Sequence, residues 1–238
     1  MEKIKRYLTA IRRYHRSKGH GIHSPFAFGF TLNVLRERLP YYAYDDIAEL
    51  RRLAVSRTKY LWRHPRIISF KNAKLIFRVT NYFNPAVILQ IGTNYGISSA
   101  SMLAVSSKSE LYLCEPSISE YPVTHEILSH FGNKIHPYKT FDGGITAYKN
   151  ACSKTNVPFV LINSVQEEEY SNVLKYLHGI RKSDGIIIIR NISRNSVMQA
   201  LWEACRNAAD TGMTFSNGKL AIIVASAKLP HQNFSLWF

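Results

Sequence analysis

The chain has few acidic residues, few cysteines and no long apolar run. Its 238 residues include 16 aspartates and glutamates against 31 lysines and arginines, which gives a net charge of +15. The cysteines Cys114, Cys152 and Cys205 are widely spaced, so we expect buried, reduced thiols and neither a disulfide framework nor a metal site. No uncharged apolar run reaches the ~18 residues of a membrane-spanning helix. The charged start of the chain does not resemble a secretory signal, and we expect a cytoplasmic protein.

The positive charge lies mainly in the N-terminal third. Residues 1–80 hold 18 lysines and arginines against five acidic residues, whereas residues 81–238 hold 13 against 11. Such a surface attracts polyanions or anionic lipid through Coulomb attraction that salt weakens. Within it, Ile4, Leu8, Ile11 and His15 recur at helical spacing among basic residues, which predicts a basic amphipathic helix. Charge alone does not choose among nucleic acid, a membrane surface and an acidic substrate.

The pattern along the chain predicts an α/β protein with a helical N-terminal part. Glycine and proline break the chain at 18–25, and helical segments are predicted at 27–39, 44–55 and 72–83. From Pro85 onward apolar strands alternate with helices, which favours a parallel sheet buried on both faces. The predicted strands cover 87–91, 111–114, 134–138, 157–162 and 185–189.

The C-terminal part predicts a different kind of pairing. Strands at 213–215 and 220–225 flank Asn217-Gly218, a strong signal for a tight hairpin. Phe234, Leu236 and Phe238 alternate with polar residues, so we expect the C-terminus to add an edge strand or to dock on the core. We predict a doubly wound, mostly parallel, seven-stranded sheet that ends in an antiparallel hairpin. We predict that residues 1–72 form a basic helical appendage or lid and that residues 73–238 form a Rossmann-like domain.

A strand that runs into a glycine turn is the sharpest functional signal. Residues 88–99 read ILQIGTNYGISS, in which Gly92 ends a buried strand and Gly96 opens a helix with Ser98 in its first turn. Gly92 lets the backbone approach a ligand, and the helix N-terminus offers N–H donors to an anionic group. A plain strand-to-helix turn that binds nothing has the same pattern, and this alternative stays open.

Glu115 follows the next predicted strand, 23 residues after Gly92. An acidic residue about 20 positions beyond a glycine turn commonly accepts hydrogen bonds from ribose hydroxyls, because one carboxylate can hold both. A solvated carboxylate at a strand end is the alternative.

Three segments, ILQIGTNYGISS, LYLCEP and FVLINS, resemble the successive cofactor motifs of class I S-adenosylmethionine-dependent methyltransferases, especially the small-molecule O-methyltransferases. The outer segments GHGIHSPFAF, RLPYYAY and KLPHQNFSLWF resemble a less characterised bacterial branch of that superfamily. The sheet of this family also ends in an antiparallel hairpin. The resemblance implies S-adenosyl-L-methionine as cofactor, with Glu115 on the ribose and Asn163 beneath the methyl donor. It places the following residues around the methionine portion: Gly92, Thr93, Asn94, Tyr95, Gly96 and Ser98.

Several positions depart from the family pattern. Gln90 stands where the family usually has an acidic residue, and Asn163 replaces the aspartate that normally ends the fourth strand. Thr140 falls where an aspartate often meets the adenine, with Asp142 as a substitute of uncertain register. These replacements raise the alternative that the protein has lost catalysis.

The metal-dependent branch of the family has Asp-Asn or Asp-Asp where this chain has Arg190-Asn191. A divalent ion such as Mg²⁺ needs hard oxygen ligands, mostly carboxylates. Because a cationic arginine would repel the ion, we predict no catalytic metal.

Methyl transfer needs little from protein side chains beyond positioning, since the sulfonium is already activated. A base helps only where the acceptor must lose a proton. The candidate catalytic residues are His20 and His23, in the loop GHGIHSPF, together with Asn163. The alternative for the two histidines is a purely structural turn.

The leading hypothesis is therefore a metal-independent methyltransferase that acts on a small or anionic acceptor. The second is a catalytically degenerate methyltransferase fold that serves as a binding or scaffolding module. A third, less favoured, is a nucleic-acid or anionic-membrane partner for residues 1–80.

Overall fold

The structure is a computed structural model that describes residues 2–59, 67–93, 95–115, 122–152, 157–208 and 210–238, with side chains from residue 8 onward. The helices in these ranges are α1 (Glu2–Ser17), α2 (Pro25–Phe30), α3 (Ala43–Thr58), α4 (Phe70–Phe83), α5 (Ile97–Leu103), α6 (Pro122–Ser129), α7 (Phe141–Ala151), α8 (Tyr170–Arg181) and α9 (Ser196–Asn207). The strands are β1 (Val87–Ile91), β2 (Glu110–Cys114), β3 (Ile135–Tyr138), β4 (Phe159–Ile162), β5 (Gly185–Arg190), β6 (Met213–Ser216), β7 (Leu220–Ala225) and β8 (Gln232–Ser235). A π-helical turn at Thr31–Leu35 continues α2, and a 3-10 turn at Gly132–Lys134 precedes β3.

The chain forms two compact units. Met1–Arg38 and Gln166–Phe238 form one, here the terminal unit, and Leu39–Val165 forms the other, here the central unit. This division by contacts leaves the predicted functional boundary at residue 72 untested. Within the described ranges, no helix combines the length and the apolar character needed to cross a membrane.

The central unit holds four parallel strands in the order β3-β2-β1-β4. All four residues of β4 are buried, and so are the last four of β1, which confirms the prediction of strands covered on both faces. The register places Ile91 beside Cys114 of β2 and Ile162 of β4. The next residues along the chain, Gly92, Glu115 and Asn163, therefore leave the sheet at the same carboxyl edge.

The terminal unit holds the strand order β5-β7-β6-β8. β7 is antiparallel to β5 and to β6, which confirms the predicted hairpin, and β8 lies parallel to β6. At the hairpin tip the Asn217 side chain accepts hydrogen bonds from the N–H groups of Lys219 and Leu220, and Gly218 has a φ of +88°. β8 lies at the edge of the sheet, which confirms the predicted C-terminal edge strand. The predicted total of seven strands was wrong, because β8 brings the described strands to eight.

Aromatic packing joins the start of the chain to the C-terminal strands within the terminal unit. Ser24 caps α2 by accepting a hydrogen bond from the N–H of Ala27. Phe30, at the end of α2, packs against Phe215 of β6 with ring centroids 4.9 Å apart, and Phe215 stacks on Phe234 of β8 at 5.2 Å. The predicted helix at 27–39 is shorter, since regular α-helix ends at Phe30 and the π-helical turn follows.

We expect Phe215→Ala to lower the free energy of unfolding by about 3–5 kcal/mol, because it empties a fully buried position between two aromatic rings. Phe28→Ala is the matched control: this α2 ring is 44% exposed, so its removal should cost about 1 kcal/mol or less. Urea unfolding measures both. Equal losses in the two variants would contradict the packing described for β6.

Candidate functional site

The carboxyl edge of the parallel strands brings the glycine turn together with the ends of its neighbours. The N–H of Gly92 donates to the carbonyl of Cys114 at 2.8 Å, and the N–H of Asn163 donates to the carbonyl of Ile91 at 2.8 Å. The turn after β1 is thus hydrogen-bonded to the chain leaving β2 and to the chain leaving β4. Its position follows from strand register and needs no ligand.

A side chain at Gly92 would disturb its neighbours. Its φ is +77°, and a Cβ at this position would lie 2.5 Å from the Oγ of Ser164. Two more residues of the turn have left-handed backbone, Tyr95 at φ +70° and Gly96 at φ +74°. Gly96 is the N-cap of α5, so the turn passes directly into the helix. The predicted sequence of strand, tight turn and helix is confirmed.

Glu115 faces the glycine turn. Its Oε2 accepts a hydrogen bond from the backbone N–H of Thr93 at 2.8 Å and lies 3.4 Å from the Thr93 hydroxyl. The backbone of Glu115 is fixed as well, because its N–H donates to the carbonyl of Tyr138 at 2.9 Å. The two elements predicted to hold a nucleoside, the turn after β1 and the carboxylate after β2, therefore lie in direct contact.

A buried polar network holds the turn from the side of the sheet. Gln90 Nε2 donates to the Gly92 carbonyl at 2.7 Å, and Asn163 Nδ2 donates to the same carbonyl at 2.6 Å. The Ser99 hydroxyl donates to Gln90 Oε1 at 2.9 Å, and Asn163 Nδ2 lies 3.1 Å from Ser98 Oγ. Gln90, Ser98, Ser99 and Asn163 are all fully buried. The Gly92 carbonyl thus receives two side-chain amide donors in a region closed to water.

This network gives a physical reason for two departures from the family pattern. A carbonyl oxygen accepts hydrogen bonds but cannot donate them, so its partners must carry N–H or O–H groups. Ionised carboxylates at positions 90 and 163 would place negative charge against the Gly92 carbonyl, which is unfavourable in a buried site. The neutral amides of Gln90 and Asn163 meet the requirement. Sequence reasoning missed this role for Gln90 and missed Ser99 entirely, although two amides and two hydroxyls around one turn were a readable signal.

The remaining residues singled out in the sequence lie at the start of α7, in an exposed loop or outside the described residues. Thr140 caps α7, its Oγ1 accepting a hydrogen bond from the N–H of Gly143, and Asp142 is exposed in the first turn of that helix. His20 and His23 are exposed in the 18–24 loop of the terminal unit. Asn94 lies outside the described residues, so its predicted contact is not observed.

Arg190 ends β5 in the terminal unit and is 4% exposed. Burial, followed by the nearby charge of Arg194, lowers its pKa from the ordinary value to about 10. The guanidinium is therefore still cationic at neutral pH. Across the described ranges, no group of three or more His, Cys, Asp or Glu side chains is arranged to hold a metal ion.

The parallel strands with a glycine turn, followed by an antiparallel hairpin, define a Rossmann-like methyltransferase fold. Solved structures with this fold align over most of the chain. An O-methyltransferase from Bacillus cereus, in complex with S-adenosylhomocysteine, is 13% identical with a TM-score of 0.54 over 81% of this chain and 96% of its own. A methyltransferase of Podospora anserina bound to the same compound is 12% identical, with a TM-score of 0.55 over 86% and 97%.

A third neighbour, the O-methyltransferase TomG from Streptomyces achromogenes in complex with S-adenosylmethionine, is 13% identical with a TM-score of 0.51. That alignment covers 92% of this chain and 99% of the other. No protein-family model matches the chain, and no curated protein matches its sequence. At these low identities the similarity shows the fold alone.

We expect Gly92→Ala to lower the free energy of unfolding by about 2–4 kcal/mol, because it adds a steric clash with Ser164 to the cost of a left-handed backbone. Gly21→Ala is the control, since Gly21 has a similar φ of +72° but no atom within 4 Å of the place where a Cβ would lie. It should show the backbone cost of about 1 kcal/mol alone. Urea denaturation measures both, and equal losses would contradict close packing at Gly92.

We expect Gln90→Glu to destabilise the protein by about 2–4 kcal/mol near neutral pH, because a buried carboxylate would oppose the Gly92 carbonyl. Burial raises the folded-state pKa of such a glutamate above its ordinary value of about 4.3. The protonated form can still donate, so the loss is smallest below that value and grows as the pH rises. Unfolding measured at several pH values, with Gln90→Leu as a control whose deficit stays constant, tests this. A constant deficit for Gln90→Glu would overturn the assigned contact.

Proposed function

We propose that the chain binds S-adenosyl-L-methionine at the glycine turn and transfers its methyl group to a small or anionic acceptor without a metal. The observation that carries the proposal is the contact between Glu115 and the N–H of Thr93 at 2.8 Å. This contact keeps a carboxylate beside the turn, where an acidic residue can accept hydrogen bonds from ribose hydroxyls. The three fold neighbours solved with S-adenosylhomocysteine or S-adenosylmethionine support the choice of ligand.

The described residues fit such a cofactor. Gly92 supplies the left-handed backbone of the tight turn, with a φ of +77°, and Glu115 is only partly buried. In the proposal Glu115 accepts hydrogen bonds from the ribose hydroxyls. In the proposal Thr93, Tyr95 and Gly96 surround the methionine portion; the same role is predicted for Asn94, which lies outside the described residues.

Asn163 and Ser98 were predicted to contact the donor, and Asn163 also to act in catalysis. Both side chains are fully buried and hydrogen-bonded to each other, and Asn163 donates to the Gly92 carbonyl. These contacts support a positioning role, in which the two residues fix the turn that faces the cofactor. Direct contact of either residue with the donor stays a prediction.

The cofactor would supply a methyl group already activated on a sulfonium. The protein then has to exclude water and hold the acceptor in line with that methyl group. His20 and His23 remain the proposed bases for an acceptor that must lose a proton, and both side chains are exposed. Residues 1–72 are proposed as a lid that shapes the acceptor site.

The second candidate is a degenerate methyltransferase fold that binds without catalysis. The specific observation in its favour is that three residues that depart from the family pattern make hydrogen bonds that stabilise the fold itself. Thr140 caps α7, while Gln90 and Asn163 hold the Gly92 carbonyl. This candidate predicts cofactor binding without transfer, or no cofactor binding at all.

We expect the protein to bind S-adenosylhomocysteine, and Glu115→Gln to weaken that binding by at least about tenfold, because an amide replaces a charged acceptor. The glutamine oxygen can still accept from Thr93, so the fold should persist. Isothermal calorimetry measures the affinity, and thermal unfolding checks the fold. Glu168→Gln, at an exposed glutamate of the terminal unit, is the matched control and should bind normally.

An absence of heat and of thermal stabilisation at millimolar S-adenosylhomocysteine would refute the proposed site. Binding combined with no methyl transfer across a broad acceptor panel would favour the degenerate candidate. Equal affinity of Glu115→Gln and the unchanged protein would remove Glu115 from the site.

A further inference from the structure

The first helix is attached to the terminal unit by its polar face. Arg13 and Ser17 lie four residues apart, so they share one side of α1. Arg13 Nε donates to Ser235 Oγ at 2.7 Å, and Arg13 Nη1 donates to the carbonyl of Asn217 at 3.2 Å. These bonds tie the helix to the hairpin tip and to β8.

The last turn of α1 adds a second attachment. Ser17 is 1% exposed, and its hydroxyl accepts a hydrogen bond from the N–H of Trp237 at 2.9 Å. The same hydroxyl donates to the carbonyl of Arg13, which links the two attachment points. The helix is therefore oriented by polar contacts, and its rotation about its own axis is fixed.

The apolar stripe of α1 lies on the opposite side and faces solvent. Leu8, Ile11 and His15 share that side at helical spacing; Leu8 is 50% and Ile11 38% exposed. Tyr14, beside Ile11, is 46% exposed. An amphipathic helix normally turns its apolar stripe toward the core. Here the orientation is reversed, and the stripe is presented outward.

Basic residues border the exposed stripe. Arg12 and Arg16 are exposed on one flank, and the Lys18 ammonium lies 4.5 Å from the Tyr14 ring centroid on the other. The sequence from residue 2 to residue 18 holds seven lysines and arginines and one acidic residue. An outward apolar stripe with cationic borders is the pattern of a helix that lies in the interface of an anionic membrane.

We propose that α1 docks the protein on anionic lipid bilayers, with Leu8, Ile11 and Tyr14 inserted between headgroups and the flanking cations on lipid phosphates. A second copy of the chain is a poorer partner, because two strongly basic helices would repel each other. A nucleic acid supplies phosphates but no apolar layer to cover Leu8 and Ile11. An anionic bilayer supplies both.

Flotation of the full-length protein with vesicles tests the proposal. We expect binding to vesicles of equal parts phosphatidylcholine and phosphatidylglycerol, and none to phosphatidylcholine alone. The double variant Leu8→Ser with Ile11→Ser should lower partitioning to anionic vesicles by about tenfold or more. Its far-ultraviolet circular dichroism should stay unchanged and its urea midpoint should fall only slightly, because Leu8 is 50% and Ile11 38% exposed.

Two matched controls and one charge variant keep the result specific. Leu39→Ser and Val157→Ser alter apolar side chains that are 66% and 53% exposed elsewhere, and they should leave vesicle binding intact. Arg12→Gln with Arg16→Gln should weaken binding most at low salt, since salt screens the attraction.

Three outcomes would overturn the proposal. The first is unchanged vesicle binding by the Leu8 and Ile11 double variant. The second is an equal loss of affinity for single-stranded RNA in that variant, which would assign the stripe to nucleic acid. The third is a dimer in sedimentation velocity that the same variant dissociates, which would assign it to a second copy. Each is independent of S-adenosylhomocysteine binding, so failure here leaves the proposed function standing.

Discussion

Two buried amides on a single carbonyl set the geometry of the glycine turn. Gln90 lies in β1 and Asn163 directly follows β4, the parallel neighbour of β1, and both donate to the oxygen of Gly92. Each such buried bond stabilises modestly when made, whereas an unpaired buried polar group costs about 1–3 kcal/mol. The turn therefore has one favoured position. That position brings the N–H of Thr93 to Glu115, and the candidate nucleoside site depends on this alignment.

The same interaction changes the meaning of the departures from the methyltransferase pattern. In the sequence alone, Gln90 and Asn163 replace carboxylates of the family pattern and suggest a site that has lost its function. In the structure they are hydrogen-bond donors that a carboxylate could not replace. Thr140 has a comparable duty as the N-cap of α7. These structural roles hold the turn in place whether or not a cofactor binds, so the replacements are compatible with both candidate functions.

The terminal unit shows how hydrogen bonds can override the usual rule for amphipathic helices. Arg13 and Ser17 hold α1 through β8, the hairpin tip and the backbone of Trp237. The attached face is polar and the free face carries Leu8 and Ile11. Exposing such side chains costs free energy in water, about 25 cal/mol for each Å² of apolar surface. In the proposed docking, a bilayer interface would remove these side chains from water and offset that cost, which gives a physical reason for the orientation of α1.

The sequence by itself determined most of the secondary structure and the main spacing of the site. Runs of Val and Ile marked the buried strands, Asn217-Gly218 marked the hairpin, and the interval from Gly92 to Glu115 predicted their approach. These features are local or periodic, so they can be read along the chain. The hydrogen bonds of Gln90, Ser99 and Asn163, the eighth strand, and the side of α1 that faces solvent were decided only by tertiary structure. They depend on strand register and on partners up to 222 residues away, such as Ser235 for Arg13, and no local pattern encodes such pairings.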